Sequence, residues 1–150
     1  MAHIHDNIDF TTSIYIVHEN KVLLHMHKKL NIWLPPGGHI ELDEDPNQAA
    51  LREAKEETGL DVELVGEGRV YETVYESQDL IAPRFLNKHF YYSKEDRAGG
   101  AIAHQHIDLG YIARPIGGAD ARHEVEGGVV KWFSREELES PPPRLQRDPY

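Results

Sequence analysis

Apolar and polar residues alternate through "TTSIYIVHEN", residues 11–20, and the pattern predicts a strand ending at a Glu19-Asn20 turn. "KVLLHMHKK", residues 21–29, is its expected hairpin partner. "LNIWLPPGGHIELDEDP" holds too much proline and glycine for a long regular element, so a short strand and a loop are expected there. The period then changes. Wound at about 100° per residue, Ala50, Leu51, Ala54 and Thr58 share one stripe suited to core packing, which predicts a helix. Asp45 is a good N-cap, Pro46 suits the first helical position, Gln48 completes a capping box and Gly59 is the expected stop. The helix should therefore run from Pro46 to Thr58. Further strands are expected in "DVELVGEG", "RVYETVYE", "NKHFYYSK", "HIDLGYIARP" and "GGVVKWFS". "SREELES" predicts a short helix capped by Ser134, with Glu137 closing its capping box. Gly99-Gly100 and Gly117-Gly118 mark loops. "SKEDRAGGAIA" and "GGADARHEVEGG" are the longest candidate mobile segments, and "PPPRLQRDPY" reads as a loosely ordered tail. Dominant strands with two helices imply the α+β class with a mixed sheet, and 150 residues imply one domain over 1–150.

The polar side of the long helix is unusual. Glu53, Glu56 and Glu57 fall within a roughly 100° arc beside the apolar stripe, with Glu57 nearest the core edge. Like charges three or four positions apart weaken a helix by about 0.2–0.5 kcal/mol per pair. Arg52, four before Glu56, can offset part of this. Either the face is simply solvated or it meets a cation.

Composition narrows the choice. Cysteine is absent, which excludes a disulfide framework, a zinc-thiolate site and a cysteine nucleophile. No apolar run reaches the ~18 residues of a membrane-spanning helix, so no membrane partner is expected. "MAHIHDNIDF" has neither the basic region nor the apolar stretch of a secretion signal, so a cytoplasmic location is expected. A net charge of −10 argues against a general electrostatic grip on nucleic acid. The acid is concentrated: residues 38–60 hold seven acidic side chains against two basic ones. Such a segment repels phosphate and attracts divalent cations. Both facts fit a site where the cation binds first and the phosphate binds to it.

Gly38, then Glu44, then "REAKEETGL" from Arg52 resembles the Nudix hydrolase box, G-x5-E-x7-R-E-U-x-E-E-x-G-U. Gly38, Glu44, Arg52, Glu53, Glu56, Glu57 and Gly59 match its fixed positions and Leu60 its last aliphatic one. Ala54 departs from the other aliphatic position, being apolar but small. "WLPPGG" is similar to the usual lead-in. "REAKEE" alone is more often an exposed, salt-bridged helix face. Its joint occurrence with Gly38, Glu44, the caps and Gly59 favours a divalent-metal site.

The resemblance implies an α/β/α sandwich and hydrolysis of a phosphoanhydride bond with Mg²⁺ or Mn²⁺. It implies Glu53, Glu56 and Glu57 as metal ligands, with a backbone carbonyl from Gly37. Arg52 would orient the glutamates, Glu44 would act through water or support the loop, and Gly38 and Gly59 would be supporting positions. The general base would be Glu56 or Glu53. Glu126 is the candidate for an additional acidic ligand, ahead of Glu124. The implied partner is a small nucleotide, with a (d)NTP as first expectation; the family often forms a homodimer, and the sequence leaves the assembly open.

Other features have plainer readings. "HIH", "HMH" and "HQHID" each place two imidazoles on one strand face, but none supplies a third ligand at a recognisable spacing, so structural roles are expected. His106 and Asp108 are candidate substrate-side residues through an H-x-D stretch similar to those of several Nudix-like sequences. Phe85, Phe90, Tyr91 and Tyr92 could stack on a base, although alternation favours a core position for Phe90 and Tyr92. Arg84 and Lys88 read as solvated. The proline of ADP-ribose hydrolases roughly 15 residues past the box is missing; Tyr75 stands there, a faint likeness to the dinucleoside-polyphosphate pattern. No coenzyme A signature precedes the box. The alternatives are a nucleotide-sensing domain or a hydrolase of ADP-ribose or dinucleoside polyphosphates. An isoprenoid isomerase would want a cysteine.

Overall fold

Glu19 and Asn20 both carry positive φ, 47° and 59°, and reverse the chain between strand β1 (Ile8–His18) and strand β2 (Lys21–His27). Two left-handed residues in a row give a hairpin turn whose twist matches that of the strands it joins. The computed structural model describes residues 7–27, 31–68, 70–71, 77–91, 104–121 and 129–140. The expected short strand after this hairpin proves to be two, β3 (Ile32–Leu34) and β4 (Gly37–His39). Pro35 and Pro36 separate them. Neither can donate a ladder hydrogen bond. Pairing breaks there, β3 lying against β2 and β4 against β1.

The expected helix is present as α1 (Pro46–Thr58). Asp45 accepts from the amides of Asn47 and Gln48, the Gln48 side chain accepts from the Asp45 amide, and Gly59 closes the helix at φ 73°. After α1 come β5 (Val62–Leu64), β6 (Val70–Tyr71), β7 (Ser77–Gln78), β8 (Phe85–Tyr91), β9 (His104–Pro115) and β10 (Val130–Ser134). The final helix, α2 (Arg135–Glu139), has the capping box expected of Ser134 and Glu137. The main sheet runs β10-β2-β1-β9-β5, with β3 on β2, β4 on β1 and β8 on β9. β1 and β9 are parallel and the other pairings are antiparallel. The sheet is thus mixed, as expected.

Register sorts the side chains onto two faces. Thr12, Ile14 and Ile16 of β1 share a face with Leu109, Tyr111 and Ala113 of β9. Ile14, Ile16, Tyr111 and Ala113 pack with Ala50 and Ala54 of α1, with Leu23, Leu60, Val62 and Val130 completing the core. The small residue at Ala54 is wholly buried there, so it lets the helix lie close to the sheet. The opposite face carries Asp9, Thr11, Ser13 and Tyr15 from β1, and His104, His106 and Asp108 from β9.

Three expectations about burial need correction. Leu51 is 40% exposed, whereas Ala49 and Glu53 are buried. The buried stripe of α1 is therefore turned toward the glutamates, and Glu53, not Glu57, lies deepest. Phe90 is 47% exposed because β8 pairs with β9 along one edge and, among the described residues, nothing continues the sheet beyond it. Arg84 and Lys88 are exposed, as expected. His3, His5, Tyr75, Tyr92, Gly99-Gly100, Glu124, Glu126, the tail 141–150 and most of the two long loops lie outside the described residues.

Candidate active site

The caps of α1 fix which way its glutamates face, and β4 supplies the opposing wall. A Cβ at Gly38 would lie 2.2 Å from Oε1 of Glu53 and 2.6 Å from its Cδ. Only a residue without a side chain allows that approach. The Gly37 amide donates to Oε2 of Glu57 at 2.8 Å. Nε2 of His25, a buried residue of β2, lies 3.6 Å from the same oxygen. Glu53 and Glu57 thus face the β-strands, while the Glu56 side chain is 51% exposed.

Arg52 organises the group. Its Nε and Nη2 donate to the two carboxylate oxygens of Glu44, at 3.0 and 2.6 Å. Its Nη1 donates to Glu53 at 2.9 Å and to Glu56 at 3.1 Å, and Nη2 also reaches the His39 carbonyl at 3.1 Å. One planar fork therefore ties the box loop, β4 and two glutamates together, a geometry a lysine cannot reproduce. Glu44 in turn accepts from the Glu41 amide at 2.9 Å. The arginine holds the Glu44 carboxyl below its ordinary range. Arg52 itself is pushed upward by Glu44.

Burial acts in the other direction on two glutamates. Glu53 is raised to about 7, chiefly by loss of solvent, against the lowering effect of Arg52. Glu57 is raised to about 7 by the same cause, against the Gly37 hydrogen bond, with the Glu56 charge adding to the rise. Hard oxygen donors held together at such a cost suit Mg²⁺ or Mn²⁺, and a divalent cation there would relieve both the repulsion and the desolvation. The donor set fits the ion the box implies.

Chain elements around this centre are also fixed. The Asn47 side chain donates to the Ile81 carbonyl at 3.0 Å and accepts from the Ile81 amide at 2.8 Å, so the segment before β8 is bound to the first turn of α1. A groove of about 530 Å³ opens beside that turn, with Phe10, Ile40, Leu42, Leu86 and Ile107 among its walls. A second, near 470 Å³, is walled by Trp33 and Phe133, whose rings meet edge to face at 4.9 Å.

The structure brings Arg52, Glu53, Glu56, Glu57, Glu44, Gly37 and Gly38 together, with Gly59 at the helix end. It does not bring His106 and Asp108 to the same side: both project from the sheet face away from α1. There Oδ1 of Asp108 accepts from Thr11 and Ser13, at 2.9 and 3.0 Å. Sequence reasoning missed His25 beside Glu57, because nothing in "HMH" tells which helix the strand will meet. It also missed the assembly of Asp9 and His39 with His104 and His106, since three strands contribute.

The family model of the NUDIX domain matches residues 9–150. A NUDIX-family hydrolase from Clostridium perfringens superposes with a TM-score of 0.69 and 34% identity, covering 89% of this chain and 86% of that one. A probable DHNTP pyrophosphohydrolase from Lactococcus lactis subsp. cremoris (strain MG1363) is 28% identical over 109 residues, 73% of this chain and 55% of that protein. The m7GpppN-mRNA hydrolase NUDT17 of Danio rerio is 62% identical over 32 residues, 21% of this chain and 11% of that protein. The aligned part thus spans about a tenth of one of these two curated relatives and about half of the other. With its box, its mixed sheet and a family match over nearly its whole length in agreement, this chain belongs to the NUDIX hydrolase family.

Proposed function

We propose that the protein hydrolyses a phosphoanhydride bond in a small nucleoside diphosphate derivative, a (d)NTP or similar triphosphate, using Mg²⁺ or Mn²⁺. The observation that carries this reading is the set of three glutamates on one side of α1, Glu53 and Glu56 held by Arg52 and Glu57 by the Gly37 amide of β4. The Lactococcus relative, named as a probable DHNTP pyrophosphohydrolase, supports the pyrophosphohydrolase reading.

Glu53, Glu56 and Glu57, with the Gly37 carbonyl, would hold the ion, and Glu126 is the further ligand we assign. Bound there, a hard divalent cation supplies charge neutralisation for phosphate oxygens and acidifies water. The chain's own residues do the rest. Arg52 keeps two glutamates at fixed positions without approaching the substrate. Glu44 fixes Arg52. Glu56, half exposed, is the group we assign to take the proton from the attacking water. Its contact with Nη1 of Arg52 runs through Oε2 and leaves Oε1 for that role. Glu53, the other α1 carboxylate that Arg52 holds, is the competing base.

The test is hydrolysis of a panel of (d)NTPs, DHNTP, ADP-ribose, dinucleoside polyphosphates and nucleotide sugars in Mg²⁺ or Mn²⁺, with products separated by chromatography. Metal-dependent cleavage of one compound, lost in a folded Glu56→Gln variant, supports the assignment. Wild-type turnover in that variant would remove Glu56 from the mechanism and transfer the role to Glu53. Silence across the panel with the ion still bound would favour a nucleotide sensor.

A further inference from the structure

We propose a second cation site on the sheet face away from α1, in which Asp9, His39 and His106 take a zinc-type transition ion. Asp9 comes from β1, His39 from β4 and His106 from β9, so the site exists only once these three strands pair. Each offers one ligand atom, and the three atoms lie within 4.8 Å of one another. Nε2 of His39 is 3.1 Å from Oδ2 of Asp9. Nε2 of His104 is 3.1 Å from the same oxygen and holds the carboxylate in place. The His106 ring sits 4.8 Å from that of His39 and 5.2 Å from that of His104, and Tyr91 closes the side at 4.5 Å.

Three observations favour an ion. Asp9 is wholly buried, and a buried carboxylate needs compensating charge. Protonating several imidazoles at these separations would crowd positive charge in one place, whereas one dication serves all the donors. Short N···O approaches also need a proton or a cation between the lone pairs. The donor set then selects the ion. Two imidazole nitrogens and one carboxylate oxygen suit zinc and other first-row transition ions, and are poor ligands for Mg²⁺. Asp108 is not counted, since the Thr11 and Ser13 hydroxyls already hold one of its oxygens. Such an ion would clamp β4 to β1 and β9, and β4 is the strand that carries Gly37 and Gly38.

This site does not depend on the hydrolase assignment, and its test avoids activity altogether. Protein stripped with a chelator is placed in excess Mg²⁺ to occupy the glutamates, then titrated with Co²⁺ and with Zn²⁺. We expect one equivalent per chain, visible cobalt absorption bands that Zn²⁺ abolishes, and a rise in melting temperature. A His39→Gln/His106→Gln variant should bind at least tenfold more weakly, while Glu56→Gln binds as the wild type does. Imidazole nitrogen NMR signals of the wild-type protein should shift on adding Zn²⁺, a readout that needs no variant. A wild-type protein that takes up no zinc in excess Mg²⁺ would overturn the proposal. So would zinc uptake that survives in the double histidine variant but fails in Glu56→Gln.

Discussion

Gly38→Ala puts the site's packing to a direct test. The new methyl carbon would lie 2.2 Å from Oε1 of Glu53, and ordinary contact begins near 3.4 Å, so the carboxylate must retreat by about 1 Å. It has little room to do so. Glu53 is 6% exposed, and its Oε1 receives the 2.9 Å hydrogen bond from Arg52. Overpacking of this kind costs about 1–3 kcal/mol, or a fall in melting temperature of roughly 2–4 °C per kcal/mol for a chain of this size. The effect on rate should be larger. A 1 Å displacement of a positioned group costs on the order of 100-fold. The assay is steady-state hydrolysis as a function of Mg²⁺, alongside thermal unfolding. The expected result is a folded variant with kcat down about 100-fold and a higher Mg²⁺ requirement. Ile16→Val, in the core, should lose about 0.5–1.5 kcal/mol and keep its kcat, which separates stability from geometry. A folded Gly38→Ala variant with wild-type kcat and Mg²⁺ response would refute the placement of Glu53 against β4.

Without divalent ions, stability should fall as pH rises from about 4.5 to 7, because Glu53 and Glu57 bind protons more tightly folded than unfolded. The gap between 4.5 and about 7 sets a ceiling of about 3 kcal/mol for each, lowered by solvent screening and by the repulsion the glutamates share, and saturating Mg²⁺ should reverse the trend; a flat metal-free denaturation profile would contradict it. Glu44 acts oppositely, its contribution being lost below 4.5 as it takes up a proton. Arg52→Lys should lower kcat by about tenfold or more with a loss of about 1–3 kcal/mol, because an ammonium cannot bridge Glu44, Glu53 and Glu56 together; unchanged kinetics would show that the fork is dispensable. Asn47→Ala should cost about 1–2 kcal/mol and speed hydrogen exchange at the Ile81 amide, and unchanged protection there would contradict the link.

What the sequence made legible followed local rules. Asp45, Pro46, Gln48 and Gly59 act within a few residues of one another, so both ends of α1 agree with expectation to the residue. The Ser134 capping box is local in the same sense. The buried face of α1 was less legible, because residue angles do not specify which surface lies opposite. Glycine at 38 admits the Glu53 carboxylate, so a glutamate took a buried place that the apolar stripe assigned to Leu51. The histidines show the limit most plainly. His104 and His106 were visible as a pair on one strand face, but their union with Asp9 and His39 depends on parallel pairing of β1 with β9, between residues almost a hundred positions apart. Phe90 failed similarly, since alternation cannot tell an edge strand from a central one.

The caps at Asp45 and Gly59 have a consequence for how this gene can change. They fix the frame of α1 at both ends, so the directions of Glu53, Glu56 and Glu57 are set by counting from the first turn. One codon inserted between Asp45 and Glu53 would swing the three carboxylates by about 100° around the helix axis, away from Gly37 and Gly38. Substitutions on the exposed positions leave that count intact. The box therefore admits new letters at its exposed positions but not indels, and its spacing is inherited as an angle.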